Sequence, residues 1–123
     1  MSASHILVAE DDRSFREFVV ELLRRWGYSV STAADGSSAL EQCETERPEL
    51  IITDIVMPNT DGFELVSRLR TDHPELKIIA CTGADAGSVY LKVADALGVN
   101  AVLQKPFEAD ELKLKIESML SNA

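Results

Sequence analysis

The sequence predicts an α/β fold in which a five-stranded parallel sheet is covered by helices on both faces. Five short apolar runs alternate with five segments of helical period along the 123 residues. Most of those runs are apolar at consecutive positions, as expected of strands buried on both sides. Each helical segment must then carry the chain back over a sheet face in the right-handed sense, which makes neighbouring strands parallel. A chain of this length is expected to form one domain over 1–123, with no room for a separate output or catalytic domain.

The first strand is the run from His5 to Ala9, which stops at the acids Glu10, Asp11 and Asp12. From Phe15 the period becomes helical, with Phe15, Val19, Leu22 and Trp26 on one stripe, and Gly27 ends the helix. Tyr28 to Ala33 alternates like a second strand, and Asp35-Gly36 turns into a second helix through Ala39, Leu40 and Cys43 as far as Pro48. Leu50 to Thr53 is a third strand ending on Asp54. A loop with Pro58 then leads to Asp61-Gly62 and a helix carrying Leu65, Val66 and Leu69. Lys77 to Thr82 is the fourth strand, followed by a glycine-containing loop and a helix with Val89, Val93, Ala96 and Leu97 that Gly98 caps. Asn100 to Gln104 is the fifth strand, Lys105-Pro106 breaks it, and Leu112, Ile116, Met119 and Leu120 give the last helix its apolar stripe.

Composition narrows the function. With 46% hydrophobic and 27% charged residues, the chain is neither disordered nor fibrous. Twelve Lys and Arg against 21 Asp and Glu leave a net charge of −9, which disfavours direct contact with nucleic acid or anionic lipid. No run approaches the roughly 20 apolar residues of a membrane helix, and the N-terminus lacks a secretory pattern, so a cytoplasmic location is expected. Cys43 and Cys81 stand apart without a CxxC spacing and are read as packing residues. His5 and His73 are far apart in sequence and belong to no motif, and Trp26 is read as core.

In open parallel sheets, ligands bind beyond the carboxyl ends of the strands. Those ends carry Glu10, Asp11 and Asp12, then Asp54, then Thr82, then Lys105. Several carboxylates meeting in one crevice repel one another unless a cation is present, and an all-oxygen set suits Mg²⁺, with Mn²⁺ as an alternative. Such an ion would keep the acids ionised and screen an approaching phosphoryl donor, so that Asp54 acts as an in-line nucleophile. Lys105 is placed to pair with Asp54 and then with a phosphoryl oxygen, and Thr82 to donate its hydroxyl to another. Taken singly, Asp12 or Ser14 could cap the first helix, Asp61 the third, and Thr82 could be a loop residue.

The motifs Ile-Leu-Val-Ala-Glu10-Asp11-Asp12, Thr-Asp54-Ile-Val-Met57-Pro58 with Asp61-Gly62, Thr82-Gly83 and Lys105-Pro106-Phe107 occur in one order along the chain. In these residues it resembles the response-regulator receiver domains of two-component signalling over essentially its whole length. The resemblance implies a flavodoxin-like (βα)5 fold with strand order 2-1-3-4-5. It also implies Asp11 and Asp54 as direct metal ligands, the Val56 carbonyl as a third, Glu10 acting through water, and Asp12 capping the first helix. The phosphoryl donor it implies is a histidine kinase or a histidine phosphotransfer protein, and the effector or output domain is left open. The surface expected to change on phosphorylation is that of the fourth helix, fifth strand and fifth helix, with Thr82 moving toward the phosphoryl group. The family pairs the threonine with an aromatic on the fifth strand, a place held here by Val102.

Leu91 and Leu114 lie off their core stripes and are expected in solvent, either as isolated leucines or as a dimer or partner face on the last two helices. Two rival functions fit the residues less well. An aspartyl-phosphate hydrolase of the haloacid dehalogenase type needs an acid two residues after the nucleophile, where this chain has Val56. A docking-only receiver would lack the aspartate, lysine or threonine, and all three are present. The expected role is therefore a phospho-accepting switch with slow self-dephosphorylation, its status as an enzyme left open. The apolar Val56 and small Ala84 offer an attacking water no hydrogen bond.

Overall fold

The computed structural model describes residues 4–57, 60–83, 92 and 95–120, with Thr60 described by its backbone only. The strands are β1 (His5–Ala9), β2 (Ser29–Ala33), β3 (Leu50–Asp54), the two-residue β4 (Val56–Met57) and β5 (Thr60–Asp61), β6 (Lys77–Thr82) and β7 (Ala101–Gln104). The helices are α1 (Arg13–Arg25), α2 (Gly36–Glu46), α3 (Gly62–Asp72) and α4 (Ala109–Leu120). The main sheet runs β2-β1-β3-β6-β7 with every pair parallel, which is the order 2-1-3-4-5 once its five strands alone are counted. The addition is a small antiparallel ribbon pairing Val56 with Asp61 and Met57 with Thr60, where a plain loop was expected.

Each sheet face carries its own core, because alternate residues of a strand point to opposite sides. Ile6, Val8, Leu50, Ile52, Ile79 and Leu103 pack with Val19 and Leu23 of α1 and Leu112 and Ile116 of α4. Leu7, Ile51 and Ile78 pack on the other face with Ala39 and Cys43 of α2 and Leu65, Val66 and Leu69 of α3. Cys43 and Cys81 lie free within these layers, and burial pushes their thiols up to about 11 and about 12, as packing residues require. Trp26 is half-buried against the first core.

Local chemistry sets the ends of the elements. Asp12, Asp35 and Asp61 each accept backbone N–H groups at the start of α1, α2 and α3. Gly27 (φ +92°) follows α1, whereas Arg47, not Pro48, ends α2 in the left-handed region at φ +47°. The predicted fourth helix, with Val89, Leu91 and Val93, falls mostly outside the described residues, as do Pro58 and Ala84. Residues 92, 95 and 96 are helical, and the Gly98 N–H donates to the Asp95 carbonyl at 3.0 Å. Leu114 is 67% exposed, as its place off the stripe predicts. Among the described residues, no helix is long and apolar enough to cross a membrane.

Candidate functional site at the carboxyl end of the sheet

The parallel register brings the ends of β1, β3, β6 and β7 together. Past β1, the Glu10 N–H still bonds the Ala33 carbonyl of β2 at 3.0 Å. The Arg16 side chain, one turn into α1, donates to the Glu10 carbonyl at 2.8 Å. Glu10 is thereby fixed from both sides, and its side chain is buried, 2% of the residue being exposed. Its Oε2 also accepts the Asp12 N–H at 3.1 Å, while Asp12 Oδ1 caps α1 through the N–H groups of Ser14 and Phe15. Asp12 thus belongs to the helix cap, and Asp11, between the two, is exposed.

Asp54 closes β3 opposite Cys81 of β6, and the Ile55 N–H continues that pairing to the Cys81 carbonyl at 3.1 Å. The Val56 N–H then turns back onto Asp54 Oδ1 at 2.9 Å, which orients the carboxylate. The turn depends on Gly62, because a Cβ there would lie 2.0 Å from the Ile55 carbonyl oxygen. At the far side of the crevice the Lys105 N–H donates to the Thr82 carbonyl at 2.7 Å, tying the ends of β6 and β7 together. Thr82 itself is buried.

The side chains meet between these ends. Lys105 Nζ donates to Asp54 Oδ2 at 2.6 Å and to Glu10 Oε1 at 2.5 Å. Carboxylate oxygens of Glu10, Asp11 and Asp54 all lie within 4.8 Å of one another. Burial raises the Glu10 pKa, an effect that its bond to Lys105 only partly offsets. Burial acts to lower the pKa of Lys105, but its hydrogen bonds to Asp54 and Glu10 outweigh that, and the ammonium is held above its ordinary range. Three carboxylates thus gather where one ammonium bonds two of them, a set with excess negative charge and only oxygen donors among its acids.

Of the residues predicted for the site, Glu10, Asp11, Asp54 and Lys105 are brought together by their side chains. Thr82 joins them through its backbone, and Val56 lies at the rim, 51% exposed. Val102 is half-buried against Ile55 and Ala80, so the fifth-strand position does pack behind the site without an aromatic ring. Two contributors carry no motif that marks them. Arg16 is one, although an arginine one turn inside a helix that starts beside a buried acid is within reach of that acid's backbone. Phe15 fits the core stripe by its spacing, yet its ring centre is 4.3 Å from Lys105 Nζ.

The histidines are engaged elsewhere. His5 bonds Ser29 and Ser31 at 2.9 Å each, and His73 follows α3 with Nε2 3.1 Å from Glu44.

The sequence model of the response regulator receiver domain matches residues 6–117. Over 115 residues the chain is 43% identical to the response regulator receiver protein CpdR of Brucella abortus, covering 94% of this chain and 95% of that protein. It is 37% identical over 115 residues to the response regulator MprA of Mycolicibacterium vanbaalenii, covering 94% of this chain but only 49% of that protein. The chain therefore spans nearly all of one relative and about half of the other. A crystal structure of a CheY-like response regulator receiver domain protein from Methanospirillum hungatei superimposes with a TM-score of 0.91 at 29% identity, covering 98% of this chain and 95% of that one. The match over 6–117, together with the 43% identity over nearly the whole of one relative, shows that this chain belongs to the response regulator receiver domain family of two-component signalling.

Proposed function

We propose that Asp54 accepts a phosphoryl group from a phosphohistidine of a histidine kinase or phosphotransfer protein, and that the domain signals by this modification. The observation that carries the reading is the placement of Asp54: a 7%-exposed carboxylate oriented by the Val56 N–H, beside Lys105 and within reach of two further acids. In the transfer a carboxylate oxygen of Asp54 forms a bond to phosphorus as the P–N bond to the donor imidazole breaks. The imidazole leaves with the bonding electron pair, and the product is an acyl phosphate. Lys105 then gives one of its N–H groups to a phosphoryl oxygen, and the Thr82 hydroxyl can give another. Hydrolysis reverses the modification when water attacks phosphorus, releasing phosphate and restoring the carboxylate.

The acids fit a hard divalent cation, because three oxygen donors converge with negative charge in excess and none of the three is a histidine or cysteine. Asp11 and Asp54, with the Val56 carbonyl, would hold Mg²⁺, or Mn²⁺ in its place, and Glu10 would act through water. When bound, the ion supplies charge neutralisation for the phosphoryl oxygens. Val56 argues against the hydrolase reading: its side chain is apolar and exposed at the rim, where a second acid would be needed. On this reading the domain works in the cytoplasm with a kinase or phosphotransfer partner, and passes its signal through the side of the sheet that carries β7 and α4. The test is to treat the protein with an acyl phosphate in Mg²⁺ and map the label by peptide mass spectrometry. A hydroxylamine-sensitive label on the Asp54 peptide is expected, and a label on another peptide contradicts the assignment.

A further inference from the structure

Lys105 has a third neighbour besides its two carboxylates. The centre of the Phe15 ring is 4.3 Å from Nζ, inside the ~6 Å range of a cation–π contact. The ring is itself held by Phe107, two residues after Lys105, which meets it edge to face at 5.5 Å and 82°, whereas the exposed Phe18 on the same helix lies farther off at 6.3 Å. An ammonium has three N–H groups. Two are taken by Glu10 and Asp54, and the ring stands beside the ammonium as a third, non-ionic anchor.

We infer that Phe15 is a positioning residue for phosphoryl transfer, its ring holding the Lys105 ammonium against the gap between Glu10 and Asp54. The inference rests on Asp54 being the phosphoryl acceptor. A lysine side chain is long and flexible, and one anchored by carboxylates alone would be drawn away when a cation competes for them or when Asp54 is esterified. The Phe15 ring is uncharged and is neither a metal ligand nor a phosphoryl acceptor, so its hold persists through the reaction. Lys105 can then pass one N–H from Asp54 to the incoming phosphoryl oxygen by turning about its last bond, without reordering the whole side chain. A leucine at position 15 would keep apolar volume beside α1 but present no π face.

Three variants test this: Phe15→Leu, Phe15→Tyr and Phe18→Leu. The readouts are the Lys105 ε-methylene resonance, which a ring held this close shifts upfield, and the maximal rate of labelling by an acyl phosphate at saturating Mg²⁺. Melting temperatures establish that each variant is folded. Phe15→Leu is expected to return the resonance to the position of the surface lysines and to slow labelling about three- to tenfold. Phe15→Tyr and Phe18→Leu should keep both properties. A wild-type Lys105 resonance among the surface lysines overturns the inference, as does unchanged labelling in Phe15→Leu or failure of Phe15→Tyr to restore it. Wild-type protein that takes no label at Asp54 overturns the acceptor assignment instead, and in that case the wild-type resonance still reports whether Phe15 holds the lysine.

Discussion

The two ends of the sheet treat polar side chains in opposite ways. All the buried polar or charged residues among those described, Glu10, Thr53, Asp54 and Thr82, lie at the carboxyl ends of β1, β3 and β6. At the amino end the polar groups bind the fold together. His5 bridges Ser29 and Ser31, Asn100 accepts from the Ile78 N–H and from Arg70, and Arg70 also donates to the Pro74 carbonyl. The amino end also has a cavity of about 520 Å³, lined in part by Cys43, Arg47, His73 and Leu76. What distinguishes the carboxyl end is burial of carboxylates that crowd one another, a cost that folding accepts only where something else uses the charge.

The largest expected effect separates the ends by stability alone. Leu69 is fully buried one turn before His73, and Leu69→Ala should cost about 2–5 kcal/mol in denaturant unfolding while the folded fraction labels at the wild-type rate. A labelling defect in folded Leu69→Ala protein would break the comparison, because it would couple the amino end to the chemistry.

Gly62→Ala comes next. The added Cβ would collide with the Ile55 carbonyl, so the segment between Asp54 and Val56 must move. About 1–3 kcal/mol of stability should be lost together with most of the labelling, measured by melting and by intact mass. Normal labelling of the Gly62→Ala protein would show that the turn does not orient Asp54.

A smaller effect carries the opposite sign. Burial raises the Glu10 pKa, so at neutral pH its ionised form opposes folding, and Glu10→Gln should raise the melting temperature in Mg²⁺-free buffer. A raised pKa favours folding at low pH. The advantage of the Glu10→Gln variant should therefore shrink as pH falls through the Glu10 range and vanish below the ordinary glutamate value, where both states are protonated. The same variant should bind Mg²⁺ several-fold more weakly. If Glu10→Gln proves less stable than wild type at neutral pH, the Lys105 pair outweighs the desolvation of Glu10.

Much of this was legible in the sequence because it is local. Apolar runs such as Leu50 to Thr53 stop where a strand leaves the core, and the residue after each stop, Glu10, Asp54 or Lys105, is delivered to the same edge by parallel topology alone. Caps at Asp12 and Asp61 follow from residue type and spacing. What was not legible depends on contacts between distant segments. Lys105 bonds Glu10, 95 residues away, as well as Asp54, and no periodicity encodes that choice. Phe15 fits a helical stripe whether its ring meets leucine or an ammonium. Gly62 is close to Ile55 in sequence, yet it reads only as a turn residue because no spacing shows how near the Ile55 backbone comes, and the small Val56–Met57 ribbon in the same turn was hidden with it.

The central claim is that Asp54 is the phosphoryl acceptor and that the neighbouring acids make its reaction depend on a divalent cation. Intact-mass measurement after incubation with an acyl phosphate tests it most directly, comparing wild type and Asp54→Asn, each with Mg²⁺ and with chelator. A single phosphoryl group on wild type in Mg²⁺, little on wild type in chelator and none on Asp54→Asn is the predicted result. Equal labelling of the two proteins, or labelling indifferent to the cation, would contradict it.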